Sequence, residues 1–405
     1  MIFYFVYFSR VKNLLNQNFE GKSVLVRVDF NVPLDKDFNI TDDSRIKAAL
    51  PTINKLIEDK AKIILMSHLG RPRGGESKFS LYHIVDCLQS LLETSVSFSE
   101  NCIGEKTISS VNNLKNGEVL LLENLRFHTE EKSGDYNFAK QLANLADVYV
   151  NDAFGAAHRS HASTSIISQF FPKEKYFGLL LKKEVDNLEK ALNSPEKPFT
   201  AIIGGSKISG KIDVITSLLD RVDNLIIGGG MAYTFAKAMG GNIGNSLLEF
   251  DKIDLAKSII NKVKNKNVNL LLPIDSVNAS SFSNDSNIRF SEITDIPGGY
   301  MGLDIGEEST RLFSEVIEGS KTIIWNGPMG VFEMSNFENG TKKIGESICR
   351  STKSGAFSLV GGGDSVAAVK KFGMQNLVSY ISTGGGAMLE YLEGKDLPGV
   401  ISILE

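Results

Sequence analysis

Short apolar runs rich in β-branched residues alternate with amphipathic stretches along all 405 residues of the chain. In the first half the runs fall at 23–28, 62–67, 119–122 and 147–150. In the second they fall at 200–203, 224–227, 269–273, 321–325, 357–360 and 377–381. A run that is apolar at successive positions suits a strand covered by helices on both faces, whereas a strand with one wet face alternates. Strand and amphipathic segment in repetition predict βαβ units around parallel sheets. The expected fold class is α/β, with two doubly wound parallel-sheet (Rossmann-like) domains joined by a helical hinge.

The length exceeds what one core usually covers. A helical stretch at 182–192 precedes N-S-P-E-K-P-F at 193–199, whose prolines among polar residues make the best boundary. The expected division is an N-terminal domain over 1–181, an interdomain helix and linker over 182–199, a C-terminal domain over 200–390 and a tail over 391–405. No solenoid-length repeat or low-complexity segment interrupts this pattern.

In open parallel sheets ligands sit beyond the carboxyl ends of the strands, so function is read from the loops there. Those of the first half carry Arg, His, Asp and Asn. R-V-D-F-N-V-P supplies Arg27, Asp29 and Asn31, alternating on one side of an extended segment. D-S-R-I-K places Arg45 at a helix start, whose dipole also favours anions. S-H-L-G-R-P gives His68 and Arg71, L-E-N-L-R-F gives Arg126, and N-D-A-F-G-A-A-H-R-S-H gives His158, Arg159 and His161. One such arginine reads as a solvated charge. Five at corresponding ends of one sheet repel one another unless an anion neutralises them, and their forks match carboxylate and phosphate oxygens. For His68, His128, His158 and His161 a structural hydrogen bond and a ligand contact stay equally open, and neither His68 nor His158 with His161 has the flanking carboxylates expected of a metal site.

The loops of the second half are rich in glycine. G-G-S-K-I-S-G-K at 204–211 supplies Lys207 and Lys211 and comes within one residue of a P-loop. Ile212 stands where that motif needs a hydroxyl for Mg²⁺, which argues against a P-loop NTPase and for lysines that face phosphate oxygens in another arrangement. G-G-G-M-A at 228–232, W-N-G-P-M-G-V-F-E at 325–333, G-G-G-D-S at 361–365 and T-G-G-G-A at 383–387 follow later strands. Glycine triplets before helices leave backbone N–H groups uncovered for an anion. Asp364 reads either as a plain helix N-cap or as the carboxylate that positions a phosphate-bound Mg²⁺.

Composition narrows the partners. A net charge of -4 argues against nucleic acid, so any anion site is local. Cys87, Cys102 and Cys349 are far apart without C-x-x-C spacing, which suggests reduced thiols in a cytoplasmic protein and no zinc site. The apolar opening at 1–8 is shorter than the roughly 20 residues of a membrane span and lacks signal-peptide flanks. No membrane partner is expected, and the chain is expected to be a monomer.

Together these strings resemble the phosphoglycerate kinase family, in the family's order from about Leu14 to the end. The resemblance implies reversible, Mg²⁺-dependent phosphoryl transfer from 1,3-bisphosphoglycerate to ADP, giving 3-phosphoglycerate and ATP, with the two sites on domains that close by a hinge. By position it implies phosphoglycerate contacts at Arg27, Asp29, Asn31, Arg45, His68, Arg71, Arg126, His158 and Arg159. It implies nucleotide contacts at Lys207, Lys211, Gly229, Gly302, Asn326, Glu333, Gly361, Gly362, Gly363, Asp364 and Ser365, with Asp364 at the metal, and a tail that returns to the N-terminal domain. Arg45 and Lys207, with the amides of Gly384, Gly385 and Gly386, are expected at the transferring phosphoryl. Two features depart from the family: the extension at 1–10, and Ser365 where many members have threonine. A non-enzymatic two-domain sugar-phosphate-binding protein is the remaining rival, but it would need neither the lysine pair nor a second phosphate site.

Overall fold

The computed structural model describes residues 12–405, so the extension at 1–10 lies outside the described residues. The described residues divide into two compact units, one running to residue 185 and taking in 396–405, the other spanning 186–395.

The first unit is built on a six-stranded parallel sheet of β1 (Ser23–Arg27), β2 (Lys62–Met66), β3 (Val96–Ser99), β4 (Val119–Leu122), β5 (Val148–Asn151) and β6 (Lys175–Phe177). The spatial order is β3-β4-β2-β1-β5-β6. Its four central strands are those the apolar runs predict, and β4 and β5 are buried at every position. The sequence pattern misses the two edges. In β3, V-S-F-S buries only its first and last residues, and β6 has three residues, so neither carries a continuous apolar run. Helix Ser44–Glu58 buries Ile46, Ala49, Ile53 and Leu56 at helical spacing and so brings Arg45, in its first turn, to the carboxyl end of the sheet.

Helix Pro398–Leu404 and the first part of helix Leu179–Asn193, up to residue 185, complete this unit. Helix Pro398–Leu404 docks by backbone, with Gly399 N donating to Ala157 O at 2.8 Å and Asn151 Nδ2 donating to Gly399 O at 2.9 Å. Helix Leu179–Asn193 begins three residues before the predicted stretch. Its start is set from a distance: the buried Asp152 accepts from Leu180 N at 2.9 Å and Leu181 N at 3.1 Å. Side chains close in sequence give no such signal.

The second unit has a six-stranded parallel sheet of β7 (Phe199–Ile203), β8 (Asn224–Ile227), β10 (Asn269–Leu271), β15 (Thr322–Asn326), β16 (Phe357–Val360) and β17 (Tyr380–Ile381), in the order β10-β8-β7-β15-β16-β17. All six fall within or beside predicted runs. Between β10 and β15 the chain adds what the sequence pattern misses. An antiparallel sheet of β11 (Asp275–Ala279), β12 (Ile288–Glu292) and β14 (Met301–Ile305) forms there, and β9 (Asn242–Ile243) pairs with β13 (Asp295–Ile296). The strand β12 is almost wholly exposed, and its apolar alternation spans only Ile288 and Phe290, too short a run to stand out.

Candidate active site

At the carboxyl end of the first sheet the structure gathers the predicted basic residues. Arg27 ends β1 and has no exposed surface. Its Nε donates to Ser163 Oγ at 2.8 Å, Nη1 donates to Val28 O, and Nη2 lies 3.2 Å from His68 Nδ1. Ser163 Oγ donates in turn to Glu131 Oε1 at 2.6 Å, so a buried carboxylate offsets this buried guanidinium through one hydroxyl. Arg27 therefore stands behind the site and organises it. Arg45 is held by Asp29 at 2.5 Å between Nη1 and Oδ2. Asn31 Oδ1 accepts from Gly70 N at 2.7 Å, and Arg126 Nη1 donates to Gly70 O at 2.7 Å, so the S-H-L-G-R loop is clamped from two sides. Asn124, fully buried, accepts from Leu69 N and donates to the carbonyls of Leu69 and Phe79, fixing the same loop from below.

The electrostatics report the crowding. His68 is pushed well below the ordinary histidine range, first by burial and then by the charges of Arg27, Arg126 and Arg45. His161 falls to about 4 for the same reasons, burial first, then Arg27, Arg126, Arg159 and His158. Arg126 is lowered by burial and by Arg27, with Arg71 adding to the effect. Among the described residues none of Arg71, Arg126 and Arg159 has a carboxylate within 4.0 Å. The cluster thus keeps a surplus of positive charge that its own carboxylates do not cancel. Glu131, Ser163 and Asn124 are hydrogen-bond partners of this cluster that the sequence reading missed, because buried carboxylate, hydroxyl and amide carry no spacing signal.

In the second unit the glycine loops interlock at the carboxyl ends of β7, β8, β15 and β16. Gly205 N donates to Pro328 O at 3.0 Å, Gly229 N to Met329 O at 3.1 Å, and Met231 N to Gly205 O at 3.2 Å. Gly229 has φ +67°, and a Cβ there would lie 2.6 Å from Gly205 O, so both conformation and space require glycine. Beside these loops is a cavity of about 400 Å³. The predicted Gly229, Gly302, Glu333 and Asp364 line it, with Tyr233, Asn245, Leu247, Phe282, Met301, Leu303, Met329 and Val331. An apolar slot with a few polar groups at its rim fits the ring system of a nucleotide. Phe282, Met301 and Leu303 come from the antiparallel insertion and, with Tyr233 and Leu247, escaped the sequence reading, since a lining leucine looks like a core leucine.

Of the remaining predicted residues, Lys211, Gly361, Gly362 and Ser365 lie around or beside the buried Asn326, outside the cavity lining. Lys211 Nζ donates to Asn326 Oδ1, and Asn326 Nδ2 donates to Gly361 O at 2.9 Å. Lys211 is lowered from the usual lysine range by burial, against which Asp364 and Glu393 act. Lys207 is exposed and, among the described residues, has no carboxylate within 4.0 Å. Gly327 N donates to Ser365 Oγ at 2.5 Å, so that hydroxyl holds the W-N-G-P loop. Gly384 N is already engaged by Ser382 Oγ at 3.1 Å, which leaves Gly385 and Gly386 as the triplet's open amides.

One expectation changes at Asp364. The N-cap of helix Gly363–Lys371 is Gly362, at φ +91°, and Asp364 stands inside the first turn, exposed and on the cavity wall. It does not serve as the cap. A single exposed carboxylate fits Mg²⁺ that is held mainly by nucleotide phosphates, which keeps several waters and needs few protein ligands. No group of three or more His, Cys, Asp or Glu able to hold a metal occurs among the described residues.

Residues 14–395 match the family model described as phosphoglycerate kinase. A phosphoglycerate kinase of Porphyromonas gingivalis is 52% identical over 410 residues, covering 95% of this chain and 98% of the relative. A cytosolic one of Arabidopsis thaliana is 53% identical over 395 residues, with 98% of each covered. The solved phosphoglycerate kinase of Coxiella burnetii aligns with TM-score 0.89 at 40% identity, over 97% of this chain and 98% of that one. Basic cluster, lysine loop and apolar cavity thus lie within a match that spans nearly the whole sequence, and the chain belongs to the phosphoglycerate kinase family of phosphotransferases.

Proposed function

We propose that the first unit binds 1,3-bisphosphoglycerate or 3-phosphoglycerate through its basic cluster, and that the second binds ADP or ATP with Mg²⁺. The observation that carries this is the uncancelled positive charge at Arg71, Arg126 and Arg159, which a small molecule with carboxylate and phosphate groups would neutralise. Arg45 and Lys207 act on the transferring phosphoryl, with the amides of Gly385 and Gly386. Lys211, fixed by Asn326, serves the nucleotide phosphates, and Glu333 lies at the cavity rim.

In the forward direction a β-phosphate oxygen of ADP forms the new P–O bond as the bond from phosphorus to the acyl oxygen breaks. The electron pair leaves on the carboxylate of 3-phosphoglycerate. Attacking and departing oxygens are both anionic, so no general base is needed, and catalysis rests on positioning and on charges facing the equatorial oxygens. Asp364, with the nucleotide phosphates, would hold Mg²⁺, which would supply charge neutralisation at the nucleotide. Reactants carried by separate units must be brought together and shielded from water, so closure about helix Leu179–Asn193 belongs to the proposal.

A cytoplasmic location is part of the proposal, supported by the free thiols of Cys87, Cys102 and Cys349 and by the cytosolic relative, beside chloroplastic relatives of similar identity. No helix among the described residues is long and apolar enough to cross a membrane, and a monomer is proposed. A coupled assay with 3-phosphoglycerate and MgATP tests the function: ADP should form only when both are present. ADP formation independent of 3-phosphoglycerate would favour an NTPase, and its absence in folded protein would overturn the reading.

A further inference from the structure

The loop that carries Lys207 and Lys211 is rich in glycine and has little of its own to hold it, with Gly205 at φ +105°. One side chain from a distant segment grips it. Glu249 Oε2 accepts from Ile208 N at 2.5 Å and from Ser209 N at 3.2 Å. The grip is passed on, because Ile208 O accepts from Lys211 N at 2.8 Å, and Lys211 O accepts from Ile215 N at 2.8 Å at the start of helix Ile212–Leu218. Glu249 is itself anchored, its N–H donating to Oγ1 of the buried Thr234 at 3.3 Å. The segment leading to it also builds the nucleotide cavity: Asn245 and Leu247 line that cavity, and Ser246 Oγ accepts from Gly302 N at 2.9 Å.

We infer that Glu249 is a positioning residue for phosphoryl transfer: its carboxylate takes the loop amides that a P-loop would offer to phosphate and so fixes Lys207 and Lys211 beside the nucleotide cavity. The inference rests on the proposed roles of the two lysines. It also accounts for the near-match to a P-loop. With the amides of Ile208 and Ser209 already engaged, the loop presents its lysines to an anion instead of its backbone. A negative charge close to a polyphosphate site weakens that site, so its presence there has to be offset by the order it imposes.

The test compares Glu249→Ala, Glu249→Gln and Lys211→Ala with the wild-type protein, by steady-state kinetics with 3-phosphoglycerate and MgATP and by amide hydrogen exchange without ligands. Glu249→Ala should speed exchange at Ile208 and Ser209. It should also lower kcat/KM for MgATP at least about tenfold, the order expected on losing a charge-assisted contact that orders a binding loop, and leave KM for 3-phosphoglycerate unchanged. Glu249→Gln keeps an acceptor oxygen and removes the charge, so it should restore most of the loss and give an MgATP KM at or below the wild-type value. A purely structural role predicts equal effects on both substrates and no rescue by glutamine, and that result would overturn the inference. If Lys211→Ala raises KM for MgATP while Glu249→Ala does not, the inference about Glu249 alone is wrong. If neither does, the assignment of the lysine loop fails and the inference falls with it. Should the alanine variant not fold, unaltered exchange at Ile208 and Ser209 in the glutamine variant together with a raised MgATP KM would count against it.

Discussion

Arg27 Nη2 lies 3.2 Å from His68 Nδ1, and both side chains are buried. A guanidinium only donates, so Nδ1 accepts and the imidazole is neutral with its proton on Nε2. Asp29 Oδ1, 3.8 Å from the same nitrogen, favours the imidazolium, but burial and the surrounding cations outweigh it. His68 should therefore stay neutral at pH values where an exposed histidine has already taken up its proton. Saturating 3-phosphoglycerate brings negative charge among the arginines and should raise its pKa. Histidine side-chain NMR against pH, with and without the ligand, measures both effects. A titration near the ordinary value in the free protein would remove the neutral assignment.

His161 sets a limit on acid stability. Its pKa in the fold is about 4, below the roughly 6.5 of an unfolded chain, so between these values the unfolded chain binds the proton and the fold resists it. Its contribution is fully present above the unfolded value and is lost as pH falls through about 4. The melting temperature should decline over that window, and His161→Gln should flatten the decline. Scanning calorimetry on the two proteins gives the comparison.

Ser163→Ala removes the hydroxyl that accepts from Arg27 and donates to Glu131, leaving two buried charged groups without their shared partner. An unsatisfied buried group costs about 1–3 kcal/mol, and more where it is charged. A loss of stability in that range, by urea or thermal denaturation, should be accompanied by weaker 3-phosphoglycerate binding, because the loops carrying Arg159 and His68 are tied through this hydroxyl and Arg27. Nucleotide binding should not change.

The parts of the molecule that show in the sequence are those whose physics is local. The strands β4 and β5, covered on both faces, read as unbroken apolar runs, and glycine loops such as 228–230 advertise a backbone that must pass close to another. The strand β3 hides because its edge position allows serine at alternate places, and β12 because nearly all of it meets solvent. The arginines could be counted in advance, but the Ser163–Glu131 relay behind Arg27 joins positions remote in the chain, which only the fold brings together. Asp364 is the reverse case: its sequence position suggests a cap, and the geometry gives that place to Gly362.

Arg45 and Lys211 should separate in kinetics. The Asp29 carboxylate holds one edge of the Arg45 fork, and its side chain is still 37% exposed, so it can gain contacts that form chiefly as charge develops on the transferring group. Arg45→Ala should lower kcat by about 10²–10³-fold, the range for loss of one donor to a developing charge, with little change in nucleotide affinity. Lys211→Ala should mainly raise the apparent constant for MgATP. Steady-state kinetics with each substrate varied in turn distinguishes the two, and identical effects on kcat and KM in both variants would undo the division of labour.

Asp364 provides the sharpest test of the metal. Exposed, on the cavity wall and free of a capping hydrogen bond, its carboxylate gains nothing for the helix beyond a first-turn charge, so its removal should cost little stability. Asp364→Asn keeps the shape and deletes the anionic ligand. If Mg²⁺ is held there together with the nucleotide phosphates, the variant should need about tenfold more Mg²⁺ for half-maximal rate, while melting within about 2 °C of the wild-type protein. A metal held mainly by phosphates tolerates loss of one protein ligand, so raising Mg²⁺ should restore much of the rate. A variant whose rate falls equally at all Mg²⁺ concentrations would show that Asp364 acts on the transferring group or the loop, and the metal would have to be placed elsewhere.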